Sequence, residues 1–107
     1  MIKVTVKYAN DEVTSLVVKG HALSAEPGKD LVCAGVSAVT IGALNSLEDS
    51  EISFQITIED GFVSVIPEHR MTTKNSTVMN VLITSLKTIA ESYGEYIKII
   101  EERNIVT

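Results

Sequence analysis

The sequence has no tryptophan, a single cysteine and only two prolines among its 107 residues. One cysteine excludes an intramolecular disulfide, and a lone thiol is typical of a reducing compartment. Aromatic residues make up only 5% of the chain, so the core is expected to be aliphatic. Hydrophobic residues reach 45%, which is typical of a globular chain and not of a disordered one. The length fits one domain, residues 1–107.

Long apolar runs are also missing. The longest uncharged stretch, from Leu31 to Leu47, contains Gly, Ser, Thr and Asn, and it is too short and too polar for a good membrane span. The N-terminus alternates apolar and polar residues from the start and lacks the apolar core of a signal peptide. We therefore expect a soluble, cytoplasmic protein with no membrane partner.

Basic residues are in the minority, nine against fourteen acidic ones, which gives a formal net charge of −5. An acidic surface disfavours non-specific binding to phosphate backbones, and no local basic patch is visible along the sequence. We expect no direct contact with nucleic acid, whereas a basic peptide or protein would be attracted. One cysteine and two distant histidines do not make a zinc spacing, so we expect neither a metal nor another cofactor.

The periodicity of the apolar residues predicts the element order ββαββαβ. The predicted strands are Ile2 to Tyr8, Val13 to Lys19, Ile52 to Ile58, Phe62 to Ile66 and Tyr96 to Ile100. The predicted helices run from Asp30 to about Leu47, and from a cap at Asn75 or Ser76 to Gly94. Asp60-Gly61 predicts a type I′ hairpin turn. We expect an α+β two-layer sandwich, in which two helices pack on a mostly antiparallel sheet.

The residues with the clearest potential for chemistry are His21 and Cys33. Asp30 is a good N-cap, which would place Cys33 at the third position of the first helix, near unpaired backbone N–H groups and the positive end of the helix dipole. Both effects favour the nucleophilic thiolate. A neutral imidazole at His21 could take the thiol proton, or the pair could persist as thiolate and imidazolium. The same helix start could supply an oxyanion hole.

Two polar residues near this pair have open roles. Ser37 lies one turn beyond Cys33 on the same helical face, where it could hydrogen-bond substrate or orient His21. Asp30 could instead orient His21 as the third member of a triad, although its role as a helix cap explains it adequately. The residues alone do not choose between these roles.

The segment between the two candidate residues is expected to be a loop. Gly20 and Gly28 border it, and both could serve only the geometry of the backbone. Residues 22–29 offer Leu23 as their only large apolar anchor, so we expect low local stability without substrate. We predict that this loop closes over a bound peptide as a lid.

The motif Gly20-His21-Ala22, followed by Gly28-x-Asp30-x-Val32-Cys33-Ala34-x-Val36-Ser37, resembles the signature of the ribosomal-processing cysteine protease family. The resemblance extends over the whole chain. It implies an enzyme that removes a short N-terminal extension from the twenty-seventh protein of the large ribosomal subunit, and it implies a homodimer. It also implies that His21 and Cys33 form the catalytic dyad, with Asp30 and Ser37 as further motif positions.

Two other functions are compatible with the residues. In a non-catalytic, ribosome-associated binding module, Cys33 would be an inert core thiol, which is the usual state of a lone cysteine in a helix of small residues. A thiol-based redox sensor is less favoured, because such sensors usually need a resolving cysteine and this chain has none.

Overall fold

We describe the protein from a computed structural model, which describes residues 1–22 and 30–105. Within these residues the elements are β1 (Ile2–Ala9), β2 (Glu12–Lys19), α1 (Leu31–Asn45), α2 (Ser50–Ser53), β3 (Phe54–Glu59), β4 (Phe62–Pro67), α3 (Thr73–Ser92) and β5 (Ile97–Asn104). The predicted α+β class and the order of the main elements are confirmed. The one-turn helix α2 is an addition to the predicted order.

The strands form one mixed sheet in the order β3-β4-β2-β1-β5. Neighbouring strands are antiparallel, except for β1 and β5, which run parallel. Strand β1 lies between β2 and β5, and its alternation sets the two faces of the sheet. Ile2, Val4 and Val6 are almost fully buried, whereas Lys3 and Lys7 point to the opposite, exposed face.

The two long helices cover the buried face of the sheet. Helix α1 buries Val32, Val36, Thr40 and Leu44, one residue per turn. Helix α3 buries Asn75, Met79, Leu82, Ile83 and Leu86. These side chains and the inward residues of the strands form one continuous aliphatic core. No helix within the described residues is long and apolar enough to cross a membrane.

Strand β3 begins at Phe54, two residues later than the alternation predicts. The backbone N–H groups of Ile52 and Ser53 both donate to the carbonyl of Asp49, at 3.1 and 2.9 Å. These bonds close the helical turn α2, and Ile52 is left 69% exposed. The prediction of a strand at Ile52 is therefore wrong, because local hydrogen bonds outweigh the alternating pattern there.

Helix α3 begins at Thr73, so its predicted cap at Asn75 or Ser76 is wrong. The hydroxyl of Thr72 is the cap and accepts a hydrogen bond from the Asn75 N–H at 3.1 Å. The Asn75 side chain is buried and has another role. Its amide accepts from the N–H of Glu48 and donates to the carbonyl of Glu48, at 2.9 and 3.0 Å. Asn75 thus ties the start of α3 to the segment after α1. The helix ends at Ser92, two residues before Gly94.

The type I′ turn lies in the first hairpin and not in the second. Asn10 and Asp11 have φ values of 50° and 66°, as both central residues of such a turn require. In the second hairpin Gly61 has a φ of 66°, but Asp60 does not have a positive φ. The prediction of a hairpin at Asp60-Gly61 is correct and its turn type is wrong.

Candidate active site

Cys33 is the third residue of α1, where the cap at Asp30 was expected to place it. The Asp30 side chain is the N-cap, and its Oδ1 accepts a hydrogen bond from the Cys33 N–H at 3.0 Å. The cysteine is half-buried and its thiol is free. The capping bond fixes the backbone of Cys33 at the mouth of the groove described below.

The residue after the candidate histidine contacts the sulfur directly. The backbone N–H of Ala22 donates to Sγ of Cys33 at 3.3 Å. An N–H aimed at the sulfur stabilises negative charge on it. This bond also ties the chain that leaves β2 to the start of α1, although Ala22 and Cys33 are 11 residues apart in sequence. Ala22 itself is buried.

The side chain of His21 lies beside the turn between β3 and β4. Its Nε2 is 3.9 Å from Oδ2 of Asp60. Its ring also lies over Gly61, where an added Cβ would come within 2.7 Å of Nε2. Only glycine leaves room for the imidazole at this position. This contact contributes little to stability, because the Asp60 side chain is 98% exposed.

Gly20 sets the position of His21 through the backbone. Its φ is 103°, which other residues rarely adopt, and its N–H donates to the Gly61 carbonyl at 2.8 Å. A side chain at Gly20 would collide with the carbonyl oxygen of Met1. The role suggested for Gly20 from sequence, that of backbone geometry, is the one its surroundings require.

One open groove of about 380 Å³ contains the candidate residues. It lies between α1 and the β3–β4 hairpin, and His21, Cys33 and Ser37 line it together. Its other walls are mainly apolar, with Val18, Val36, Ile41, Ile58 and Val63, and they also carry Thr40, Glu59 and Asp60. An extended peptide with hydrophobic side chains fits such a lining.

Thr40 is a buried polar residue in the wall of the groove. Its side chain is 2% exposed, and its hydroxyl has no hydrogen-bond partner within the described part of the chain. Other helical hydroxyls, such as those of Ser46 and Thr77, donate to the carbonyl four residues earlier. The Thr40 hydroxyl is therefore a buried polar group behind the wall of the groove, unpaired within the described residues.

The helix start does not provide the oxyanion hole in the expected way. The N–H of Cys33 donates to the Asp30 side chain, and the N–H of Ala34 donates to the Asp30 carbonyl at 3.1 Å. Both groups are engaged within the helix cap. The N–H that points at the sulfur belongs to Ala22, which lies outside the helix.

The structure thus brings together His21, Cys33 and Ser37, while Asp30 acts as the helix cap. The carboxylate near His21 is that of Asp60, which the sequence indicated only as a turn residue. No signal local to residues 60–61 reveals that this turn meets His21. Gly28 and the predicted lid, apart from Ala22, lie outside the described residues.

Comparison with known proteins identifies the family. The family model for the cysteine protease Prp matches residues 1–98. The ribosomal processing cysteine protease Prp of Mycoplasma pneumoniae is 38% identical over 105 residues, which cover 96% of this chain and 97% of the relative. The corresponding protein of Bacillus subtilis is 35% identical over 109 residues, covering 92% and 96% of the two chains.

Solved structures agree with this result. The ribosomal processing protease Prp from S. aureus, in complex with a covalently linked product peptide, superimposes with a TM-score of 0.86 at 31% identity, covering 95% of this chain and 100% of that one. The same enzyme with a substrate peptide gives a TM-score of 0.78 at 30% identity, with the same coverage. By sequence and fold, the chain belongs to the Prp family of cysteine proteases, hydrolases that act on peptide bonds.

Proposed function

We propose that Cys33 is the nucleophile of this protease and His21 its general base. The observation that carries the proposal is the single cysteine, because a cysteine protease needs one and this chain has no other. Cys33 lines the groove that His21 and Ser37 also line. The N–H of Ala22 supports negative charge on the Cys33 sulfur.

The reaction follows from these positions. His21 takes the thiol proton, and the thiolate attacks the carbonyl carbon of the scissile peptide bond. In the proposed mechanism the N–H of Ala22, which donates to the sulfur, also stabilises the oxyanion that forms on the attacked carbonyl. The imidazolium then gives its proton to the leaving amine, which departs and leaves a thioester. Water, deprotonated by His21, hydrolyses the thioester and regenerates the thiol.

The proposed substrate is the N-terminal extension of the twenty-seventh protein of the large ribosomal subunit. Relatives that match nearly the whole chain are named ribosomal processing proteases, which supports a ribosomal protein as substrate. The apolar walls of the groove suit hydrophobic side chains next to the cut. Use of a free thiol as nucleophile also suits the reducing cytoplasm that the sequence predicts.

The test is to mix the protein with the extended ribosomal protein and follow both masses. Cys33→Ala and His21→Ala should each lower the cleavage rate by at least about 10³-fold. His69→Ala is the matched control, because His69 is the other histidine of the chain and lines a different cavity. It should cleave at the wild-type rate.

A second readout separates the protease from the alternative binding module. An activated Cys33 reacts quickly with a thiol alkylator at neutral pH, and His21→Ala should slow that reaction. A wild-type protein that binds the extended substrate, leaves it intact and resists alkylation would be a non-catalytic module. Cleavage at the wild-type rate by Cys33→Ala would refute the proposed nucleophile.

A further inference from the structure

Three lysines from distant parts of the sequence lie side by side on the exposed face of the sheet. Lys3 on β1 pairs directly with Lys19 on β2 and with Lys98 on β5. Directly paired residues share a face, so the three side chains stand together, roughly 5 Å from strand to strand. All three are exposed. We call Lys19, Lys3 and Lys98 the lysine row.

No local basic patch is visible along the sequence, yet strand pairing brings these three lysines together. The three lysines are far apart along the chain, so only the pairing of the strands makes them neighbours. The two pairings differ in direction: Lys19 pairs with Lys3 across antiparallel strands, and Lys98 pairs with Lys3 across parallel strands. Like charges placed directly opposite each other destabilise a sheet, so folding alone does not explain the row.

The lysine row also lacks counter-ions. Within residues 1–22 and 30–105, none of its three members makes an ion pair. Four other basic side chains do form ion pairs with carboxylates, namely Lys7, Arg70, Lys87 and Arg103. In a chain with a net charge of −5, cations without partners that cluster on one face indicate an anionic ligand from outside the chain.

An aromatic ring extends the row. Phe62 on β4 pairs directly with Lys19, so it stands on the same face, and it is only half-buried. An open sheet face that combines cations with an aromatic ring is how many proteins bind single-stranded nucleic acid. Lysines hold the phosphates, while bases stack on the ring. An acidic peptide would use the lysines alone and would give no role to the ring.

The row begins beside the active site. Lys19 directly precedes Gly20 and His21, and Phe62 directly follows Gly61, over which the His21 ring lies. A ligand along the row would therefore reach the end of the sheet where the peptide is cut. We propose that the lysine row and Phe62 bind single-stranded RNA next to the cleavage site. This inference rests on the proposed function, since a ribosomal particle would present RNA and the protein extension together.

The test measures how a labelled oligouridylate binds to the full chain at several salt concentrations. Three phosphate contacts predict a slope of about −2 for log K against log salt, because each contact on a single strand contributes about −0.7. Replacing all three lysines of the row by Gln should weaken binding at low salt by at least about tenfold and flatten the slope. Lys74→Gln is the matched control, because Lys74 is an exposed lysine on α3 without an ion pair to a described residue.

Two further variants keep the test decisive. Should the triple variant fail to fold, Lys98→Gln alone should reduce the slope by about 0.7. Phe62→Leu should weaken binding and leave the slope unchanged, because stacking releases no counter-ions. No binding by the wild-type protein at low salt, or an equal loss in Lys74→Gln, would overturn the proposal. Binding of poly-glutamate as tight as that of RNA, unaffected by Phe62→Leu, would also overturn it in favour of an acidic protein partner.

Cleavage of a short, free extension peptide separates this inference from the proposed function. The triple lysine variant should cut that peptide at the wild-type rate, because no lysine of the row lines the groove. If the wild-type protein fails to cut it but binds RNA with the predicted slope, the proposed function fails and the lysine row stands. If the wild-type protein cuts the peptide but does not bind RNA, the proposed function stands and the RNA-binding role of the lysine row fails.

Discussion

At the scale of single residues, the position of the His21 imidazole depends on the absence of a Cβ at Gly61. A Cβ at residue 61 would come within 2.7 Å of Nε2 and force the ring to move, and Gly61 also has a φ of 66°. Residue 61 is part of a turn on another hairpin, so its effect on the site is invisible from sequence spacing. The contribution of Ala22 is equally invisible from sequence, because it comes from the backbone N–H that donates to the sulfur and not from its methyl side chain.

We predict that Gly61→Ala lowers kcat/KM for peptide cleavage by about 10- to 100-fold, because a shift of His21 by about 1 Å spoils proton transfer. Stability should fall by about 1 kcal/mol, since alanine disfavours a positive φ. Gly42→Ala is the control. A Cβ on Gly42 meets no atom within 4 Å, so activity should be kept and α1 should gain stability. Equal activity of Gly61→Ala and wild type would show that His21 does not need this position.

At the scale of elements, β5 is held along the edge of the sheet by a polar cluster. The Tyr8 hydroxyl donates to Oε2 of Glu101 at 2.7 Å, and Nζ of Lys87 lies 2.8 Å from the other carboxylate oxygen. The Arg103 guanidinium lies over the Tyr8 ring, 4.0 Å from its centroid. Burial, then the bond to Glu101, raises the pKa of Tyr8 to about 12. The hydrogen bonds from Lys87 and Tyr8 lower the pKa of Glu101.

This cluster predicts a stability loss at alkaline pH. Because the pKa of Tyr8 is raised in the folded state, its contribution is complete below the ordinary value of 10 and is lost as pH rises to about 12. Tyr8→Phe should lower the free energy of unfolding at pH 7 by about 1.5–3 kcal/mol, since it removes a hydrogen bond to a charged group. The difference between the two proteins should shrink between pH 10 and 12.

Urea unfolding of both proteins across this range measures the effect. Tyr93→Phe is the matched control, because Tyr93 is 43% exposed, and its stability should follow that of the wild type. A difference between wild type and Tyr8→Phe that stays constant up to pH 12 would mean that the tyrosine does not titrate as described. At the acidic end, Glu101 contributes stability that is lost as pH falls through its lowered pKa.

The same cluster shows why the length of β5 escaped prediction. Residues 101–103 are all charged, so the apolar pattern ends at Ile100, yet pairing with β1 continues to Asn104. Hydrogen bonds and ion pairs with Tyr8 and Lys87 replace apolar burial there. By contrast, the start of α1 followed from Asp30 alone, because an N-cap is a local signal. The start of α1 was thus predictable from a local signal, whereas the far half of β5 depends on distant partners.

At the scale of the whole molecule, the proposed active site is built from three separate places. The segment after β2 supplies His21, the start of α1 supplies Cys33, and the β3–β4 turn supplies Gly61. The first two were predicted from sequence, because they carry the family motif. The contribution of Gly61 could not be predicted, because it depends on the pairing of β4 with β2. No pattern in the sequence indicates that strand order.

The last prediction concerns assembly. The family resemblance implies a homodimer, and the outer groove between α1 and α3 offers a surface for a second copy. The groove measures about 360 Å³ and is lined by small and apolar side chains, including Ala38, Gly42 and Val78. Val81, also in this lining, is 61% exposed although it is apolar. Light scattering at micromolar concentration should give about twice the chain mass of 11.6 kDa.

Val81→Glu should convert the dimer to monomer, because a buried carboxylate without a partner strongly disfavours association. Ile52→Glu is the control, because Ile52 is similarly exposed at 69% but lies on α2, away from the groove. It should remain a dimer. A wild-type protein that is a clean monomer would contradict the homodimer. A dimer that survives Val81→Glu and dissociates in Ile52→Glu would move the interface from the α1–α3 groove to the surface around α2.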